Sequence, residues 1–234
     1  VSGSLTPART LCLALLAVLL IYGVSLLTGF WLAKRGRIDM NWLVRTRRRL
    51  ADPLTDRLGR WHDRVKLESL KQKRWLALWL TISFNNLVLV AGVSRFLYGF
   101  LLVPPLYVTM RSGLGHGILR AREVPIPRGA NTIVFLEFGG YFLANALGVN
   151  AALQLWMGGI SGFRVIQYQC AIGFTVVAAM LLSASLLEVL ALRDAATRFH
   201  LPPNLDTNEV RARALKAMER KGARERAFDS RFLK

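Results

Sequence analysis

The sequence predicts an all-α polytopic membrane bundle of about five transmembrane helices, amino terminus out and carboxyl terminus in, with amphipathic cytoplasmic helices. Three observations carry this. Of 32 Lys and Arg residues, 29 fall in three stretches, 34–74, 111–129 and 193–234, and the long apolar runs lie between them. A mean hydropathy of +0.34 with 53% hydrophobic residues coexists with a net charge of +18, so oil and charge are segregated along the chain. Five crossings put 14, 4 and 11 basic residues inside and leave only Arg9, Arg95 and Arg164 outside, as the positive-inside rule requires. The expected divisions are a first span at 1–33, a basic amphipathic segment at 34–74, a four-crossing core at 75–192 and a basic tail at 193–234.

Leu11 to Ala33 is uncharged over 23 residues, which at about 1.5 Å per residue covers a hydrocarbon core of roughly 30 Å. A cleaved signal peptide has a shorter apolar region and an Ala-x-Ala-like site, absent before Lys34. Trp75 to Met110 is 36 residues; one straight helix of about 54 Å would overshoot the bilayer. The polar break Gly92-Val93-Ser94-Arg95 is therefore expected to divide it into crossings at 75–92 and 96–111, the second bent by Pro104-Pro105 and buried in the bundle. A basic loop with Arg111, Arg120, Arg122 and Arg128 follows, then spans from Asn131 to about Gly148 and from about Cys170 to Leu192. Leu153 to Phe163 is too short to cross and reads as a surface-lying or re-entrant segment, with Trp156 at head-group level.

Within the first basic stretch, Asp52-Pro53 reads as an N-cap with proline at the first helical position, and Leu54, Leu58, Trp61 and Val65 recur at helical spacing. Arg57, Arg60, Arg64 and Lys66 occupy the other faces, which suits a helix on the inner leaflet or against a partner. Near the carboxyl end, Pro202-Pro203 stops the last helix. Asp206 and Glu209 resemble a capping box for another to about Gly222, and Ala223 to Lys234 is polar.

Asn85, Asn86, Glu137 and Glu188 are the polar residues the bilayer makes expensive: an unpaired acid at mid-depth costs several kcal/mol on insertion scales. Glu137 is the leading candidate for a contact, with Asn85, Asn86 or a freed carbonyl as its partner. Glu188 lies near enough to Arg193 to reach the head groups. Gly92, Gly99, Gly113, Gly115, Gly117, Gly139, Gly140 and Gly148 are expected to let helix backbones approach closely.

Catalytic and cofactor chemistry finds little footing. Gly159-Ile160-Ser161-Gly162 spells a rhomboid-like Gly-x-Ser-Gly, but His62, His116 and His200 all fall in predicted loops or tail, leaving the serine no base. Cys12 and Cys170 offer neither a disulfide framework nor a metal set, and no phosphate loop is present. The charge flanks membrane-length apolar runs instead of coating a soluble domain, which argues against nucleic acid and for anionic lipid of the inner leaflet. No catalytic, cofactor-binding or metal residue is expected.

From Phe84 to Gly148 the pattern resembles the stage II sporulation protein M family of membrane proteins. The resemblance rests on Phe84-Asn85-Asn86, then Phe96-x-x-Gly99, Gly113-Leu114-Gly115-x-Gly117, and Glu137 leading into Gly139-Gly140 and Leu147-Gly148. The chain departs from the family pattern at Pro104-Pro105 and at Pro127-Arg128-Gly129. The resemblance implies a helical bundle in the bacterial cytoplasmic (inner) membrane, with the asparagines and the glutamate on different spans. It also implies a non-enzymatic component that scaffolds, anchors or recruits partners in a larger complex, as hetero- or homo-oligomer. The alternative is a permease-like subunit of a transporter, with Asn85, Asn86 and Glu137 along a polar path.

Overall fold

The computed structural model describes residues 6–39, 53–101, 103–122 and 130–199. These are almost wholly helical, with no strand among them. α1 spans Pro7–Lys34, α2 Pro53–Lys71 and α3 Trp75–Phe84. α3 continues without a break into a π-helical segment, Asn85–Phe96, and a 3₁₀ turn, Leu97–Leu101; α4 (Val103–Ala121) and α5 (Ala130–Phe199) follow. Four stretches are long and apolar enough to cross a membrane: Ala8–Lys34, Trp75–Phe96, Ala130–Met157 and Ile166–Asp194.

α5 is helical over 70 residues, yet it cannot be straight. Gly140 and Leu181 would stand about 60 Å apart along one helix axis, but a Cβ on Gly140 would lie 2.9 Å from the Leu181 side chain. Gly173 meets Leu147, and Asn150 bonds Gln169. The contacts pair residues symmetrically about position 160, so α5 is a hairpin whose two arms, Ala130–Met157 and Ile166–Asp194, run antiparallel. Leu153 to Met157 thus completes the first arm and is no separate surface segment. Trp156, 75% exposed, stands at its tip, and Ser161 lies at the reversal.

The expected break at Gly92 to Arg95 is absent. Widening to i→i+5 hydrogen bonds carries the helix through it and keeps Asn86, Ala91 and Arg95, spaced five and four residues apart, on one buried face. Arg95 is consequently buried in the bundle. Pro104 and Pro105 sit in the first turn of α4, where missing N–H groups cost least, so they start a helix instead of bending one. α4 carries Arg111, His116 and Arg120, residues expected in a loop.

Helix direction follows from the contacts. Gly113 approaches Tyr22 and Ser25, and Gly117 approaches Leu26 and Gly29, so α4 runs parallel to α1. Tyr22 packs on Phe142 and Thr10 bonds Gln154, so the first arm is antiparallel to α1. The π segment runs parallel to the first arm, Asn86 beside Glu137 and Gly99 beside Gly148. The core lies where the π segment and both arms meet: Ala91, Tyr141, Ala144, Leu147, Val177 and Leu181, with Leu78 and Ile82 of α3 and Val189 forming a second cluster at the α2 end.

Two helices end in the same left-handed turn. Arg37 N–H donates to the Leu32 carbonyl with Gly36 at φ +68, and Arg74 N–H donates to the Ser69 carbonyl with Lys73 at φ +55. Glycine accepts that backbone freely, whereas lysine adopts it against its Cβ. The second turn swings α3 back beside α2.

Candidate functional site

The polar side chains gather in two places. At the α2 end, a cavity of about 420 Å³ is lined by His62 and Lys66 from α2, Asn85 and Asn86 from the π segment, Glu137 and Tyr141 from the first arm, and Glu188 from the second. Asn86 Nδ2 donates to Glu137 Oε1 at 2.9 Å, and Asn85 Nδ2 donates to Asn86 Oδ1 at 3.1 Å. Asn86 is turned inward, at 6% exposure, and Asn85 beside it is at the cavity wall. Lys66 Nζ donates to Glu188, which lines this cavity, and so fastens α2 to the second arm.

His62 occupies the wall beside that ion pair. Burial first, and then the Lys66 ammonium, hold its imidazole below the ordinary value of 6.5, against the opposing pull of Asp63. Its Nδ1 lies 3.7 Å from Asp63, while Nε2 is buried and has no hydrogen-bond partner among the described residues.

The second gathering lies near the midpoint of the first arm. Arg95 is 4% exposed; its Nη1 donates to Thr109 Oγ1 at 3.1 Å and its Nη2 to Ser112 Oγ at 3.2 Å. Thr109 Oγ1 also accepts from Asn145 Nδ2 at 2.8 Å. One hydroxyl therefore joins the π segment, α4 and the first arm. The guanidinium carbon stands 5.8 Å from the centre of the Tyr141 ring, within cation–π range.

Of the residues singled out from sequence, Asn85, Asn86 and Glu137 share the cavity. The glycines fall at three interfaces. Gly113 and Gly117 meet α1, where Gly29 answers them; Gly99 meets Gly148; Gly139 and Gly140 meet Met180 and Leu181. Gly115 is buried on α4. On α2, Trp61 and Arg64 are exposed and Val65 is half-buried, while Ser69 is buried and Leu70 packs on the Leu78 cluster. The described half of α2 thus applies Lys66, Ser69 and Leu70 to the bundle and turns Trp61 away. The side chains of Leu54, Arg57, Leu58 and Arg60, and the expected helix at 206–222 with its tail, lie outside the described residues.

Thr109, Tyr141 and Asn145 are not singled out by the sequence, and Lys66, His62 and Arg95 enter it only as a polar-face residue, a loop histidine and part of a polar break. One signal for three of the site residues is present: Glu137, Tyr141 and Asn145 recur every four residues, a polar stripe on one helix face. His116, expected in a loop, shares a 2.9 Å hydrogen bond with the Tyr22 hydroxyl and packs edge-on to Phe138. No group of three or more His, Cys, Asp or Glu able to hold a metal ion occurs among the described residues.

Fold and site define a multi-pass helical membrane protein with an open cavity, lined by both polar and apolar side chains, at one end of the bundle. No family model, curated protein or solved structure matches the chain.

Proposed function

We propose that this chain is a non-catalytic integral membrane subunit of a larger bacterial membrane complex, which it scaffolds or anchors, and that it belongs with the stage II sporulation protein M family. The observation that carries this is how its interior polar groups are used. Arg95, Thr109 and Asn145 bind one another across three helical segments, Asn150 bonds Gln169 across the hairpin, and Gln154 bonds Thr10 across to α1. These contacts hold helices in register. Among the described residues no Ser or Cys is bonded to a His that could activate it.

A five-crossing topology with the amino terminus outside is part of the proposal. It is supported by the alternating helix directions: α1, α4 and the second arm run one way, α3 with the π segment and the first arm the other. α4 takes the place of the shorter crossing expected at 96–111. Its Arg111 and Arg120 make it less apolar than the four long spans, and packing against α1 through Gly113 and Gly117 compensates. With Arg95 inside the bundle, only Arg9 and Arg164 remain among the outer basic residues, which sharpens the inside excess.

The test is extraction from native membranes in mild detergent at low salt. A partner protein retained at fixed stoichiometry is expected; a lone monodisperse monomer overturns the scaffold reading. The permease-like reading is favoured by one observation, the cavity that reaches Glu137. It requires solute flux in proteoliposomes that falls with Glu137→Gln.

A further inference from the structure

The cavity at the α2 end has an unbalanced inventory. Glu137 and Glu188 bring two carboxylates, and Lys66 is the one cationic side chain lining it among the described residues. That ammonium is bonded to Glu188. Glu137 is left with a neutral amide, Asn86, as its hydrogen-bond donor, although a carboxylate accepts about four such bonds.

Hydrogen-bond capacity is skewed the same way. Asn85 uses its amide nitrogen on Asn86, which leaves its carbonyl oxygen at the wall. A ligand that suits these groups must bring positive charge and N–H donors. The remaining wall, including Ile82, Ile133 and Val134, is apolar, and about 420 Å³ is far more than a bare ion fills, a water taking about 30 Å³ in the liquid.

We propose that this cavity binds a small organic cation, a primary alkylammonium, with Glu137 as counter-ion, Asn85 as acceptor and the Ile133 side as the seat of its hydrocarbon. Binding goes beyond the scaffold reading and needs no movement of solute across the membrane. It therefore stands or falls separately from partner retention and from flux.

The experiment is calorimetric titration of the purified full chain in detergent with n-butylammonium, with sodium and tetramethylammonium as parallel probes at equal ionic strength. Saturable binding of n-butylammonium is expected. Glu137→Gln, which keeps an oxygen acceptor for Asn86, is expected to weaken it about tenfold or more, a charge-assisted hydrogen bond being lost. Ile133→Phe, which keeps every charge and fills the apolar end, is expected to weaken it likewise, while sodium and tetramethylammonium, lacking N–H donors, bind at least about tenfold more weakly. No binding of n-butylammonium by the unaltered chain, equal binding by Glu137→Gln, or binding of sodium or tetramethylammonium as tight as that of n-butylammonium overturns the proposal. Should one variant fail to fold, the other together with the probe comparison still decides it.

Discussion

Gly99 and Gly148 meet backbone to backbone: a Cβ on Gly99 would lie 2.6 Å from Cα of Gly148, and a Cβ on Gly148 would lie 2.4 Å from the Phe96 carbonyl oxygen. No rotamer change relieves such a clash, because the obstacle is main chain. Gly148→Ala is therefore expected to force the 3₁₀ turn off the first arm and to destabilise the bundle by about 1–3 kcal/mol, the range for overpacked cores. Gly23→Ala, with nothing within 4 Å of the added carbon, is the control and should leave stability unchanged or raise it by up to about 1 kcal/mol, alanine being the better helix former. Unfolding by denaturing detergent measures both, and equal effects would show that the close approach is not essential.

Thr109 Oγ1 accepts from both Arg95 and Asn145. Thr109→Val keeps the shape and removes the acceptor from two buried donors, one of them charged. The expected cost is about 2–6 kcal/mol, since each of the two buried donors that loses this acceptor forfeits about 1–3 kcal/mol. Asn145→Leu alone should cost less, and adding it to Thr109→Val should cost less than the sum of the two, because they share one bond. Strict additivity in that double-mutant cycle would mean that the hydroxyl does not link the two helices.

The long spans are legible because charge is confined to their ends, and Asn85, Asn86 and Glu137 are conspicuous because lipid penalises such residues. What escapes is whatever depends on pitch. A period of 3.6 residues treats Arg95 as a polar break, whereas the i→i+5 turns realign it with Asn86 and Ala91 on the buried face. α4 escapes for a related reason: its Arg111 and His116 read as loop residues, and only the approach of Gly113 and Gly117 to α1 explains why a less apolar helix belongs in the bundle. The role of Lys66 is invisible locally, because its partner Glu188 is 122 residues away.

His62 gives the α2 end a pH dependence whose sign is fixed. Burial, reinforced by Lys66, lowers its folded pKa below the ordinary value of 6.5, so below that value the unfolded chain binds the proton more readily than the folded one. Stability contributed by the neutral imidazole is complete above about pH 6.5 and declines as pH falls through the folded pKa. His62→Gln should flatten this acid slope, as read by the pH dependence of unfolding between about pH 5 and 8. A slope unchanged in the variant would assign the dependence to other groups.

Single cysteines, introduced after replacing Cys12 and Cys170, test the crossing pattern. A cysteine at Trp156, which stands 75% exposed at the tip of the hairpin, should react with a membrane-impermeant maleimide in intact cells. One at Trp61 should react only after permeabilisation. Labelling of both positions from the same side would reverse α2 relative to the hairpin tip and remove the five-crossing topology.

Lys66 and Glu188 form an ion pair at 30% and 25% side-chain exposure, sheltered enough that losing one partner costs more than losing both. Lys66→Met leaves the Glu188 carboxylate beside Glu137 with no ammonium between them, and Glu188→Gln leaves an uncompensated ammonium at the cavity wall. Each single change is expected to destabilise the docking of α2 by about 1–3 kcal/mol, below the range for fully buried pairs because water still screens this one. The double variant should recover part of that loss, since a neutral pair no longer strands a charge. Docking is read by limited proteolysis of the turn at Lys73, whose backbone is already in the left-handed region and which becomes accessible when α2 lifts. If the double variant is cleaved as fast as the worse single variant, the pair does not hold α2 in place, and packing of Leu70 against Leu78 and Val189 must carry that contact instead.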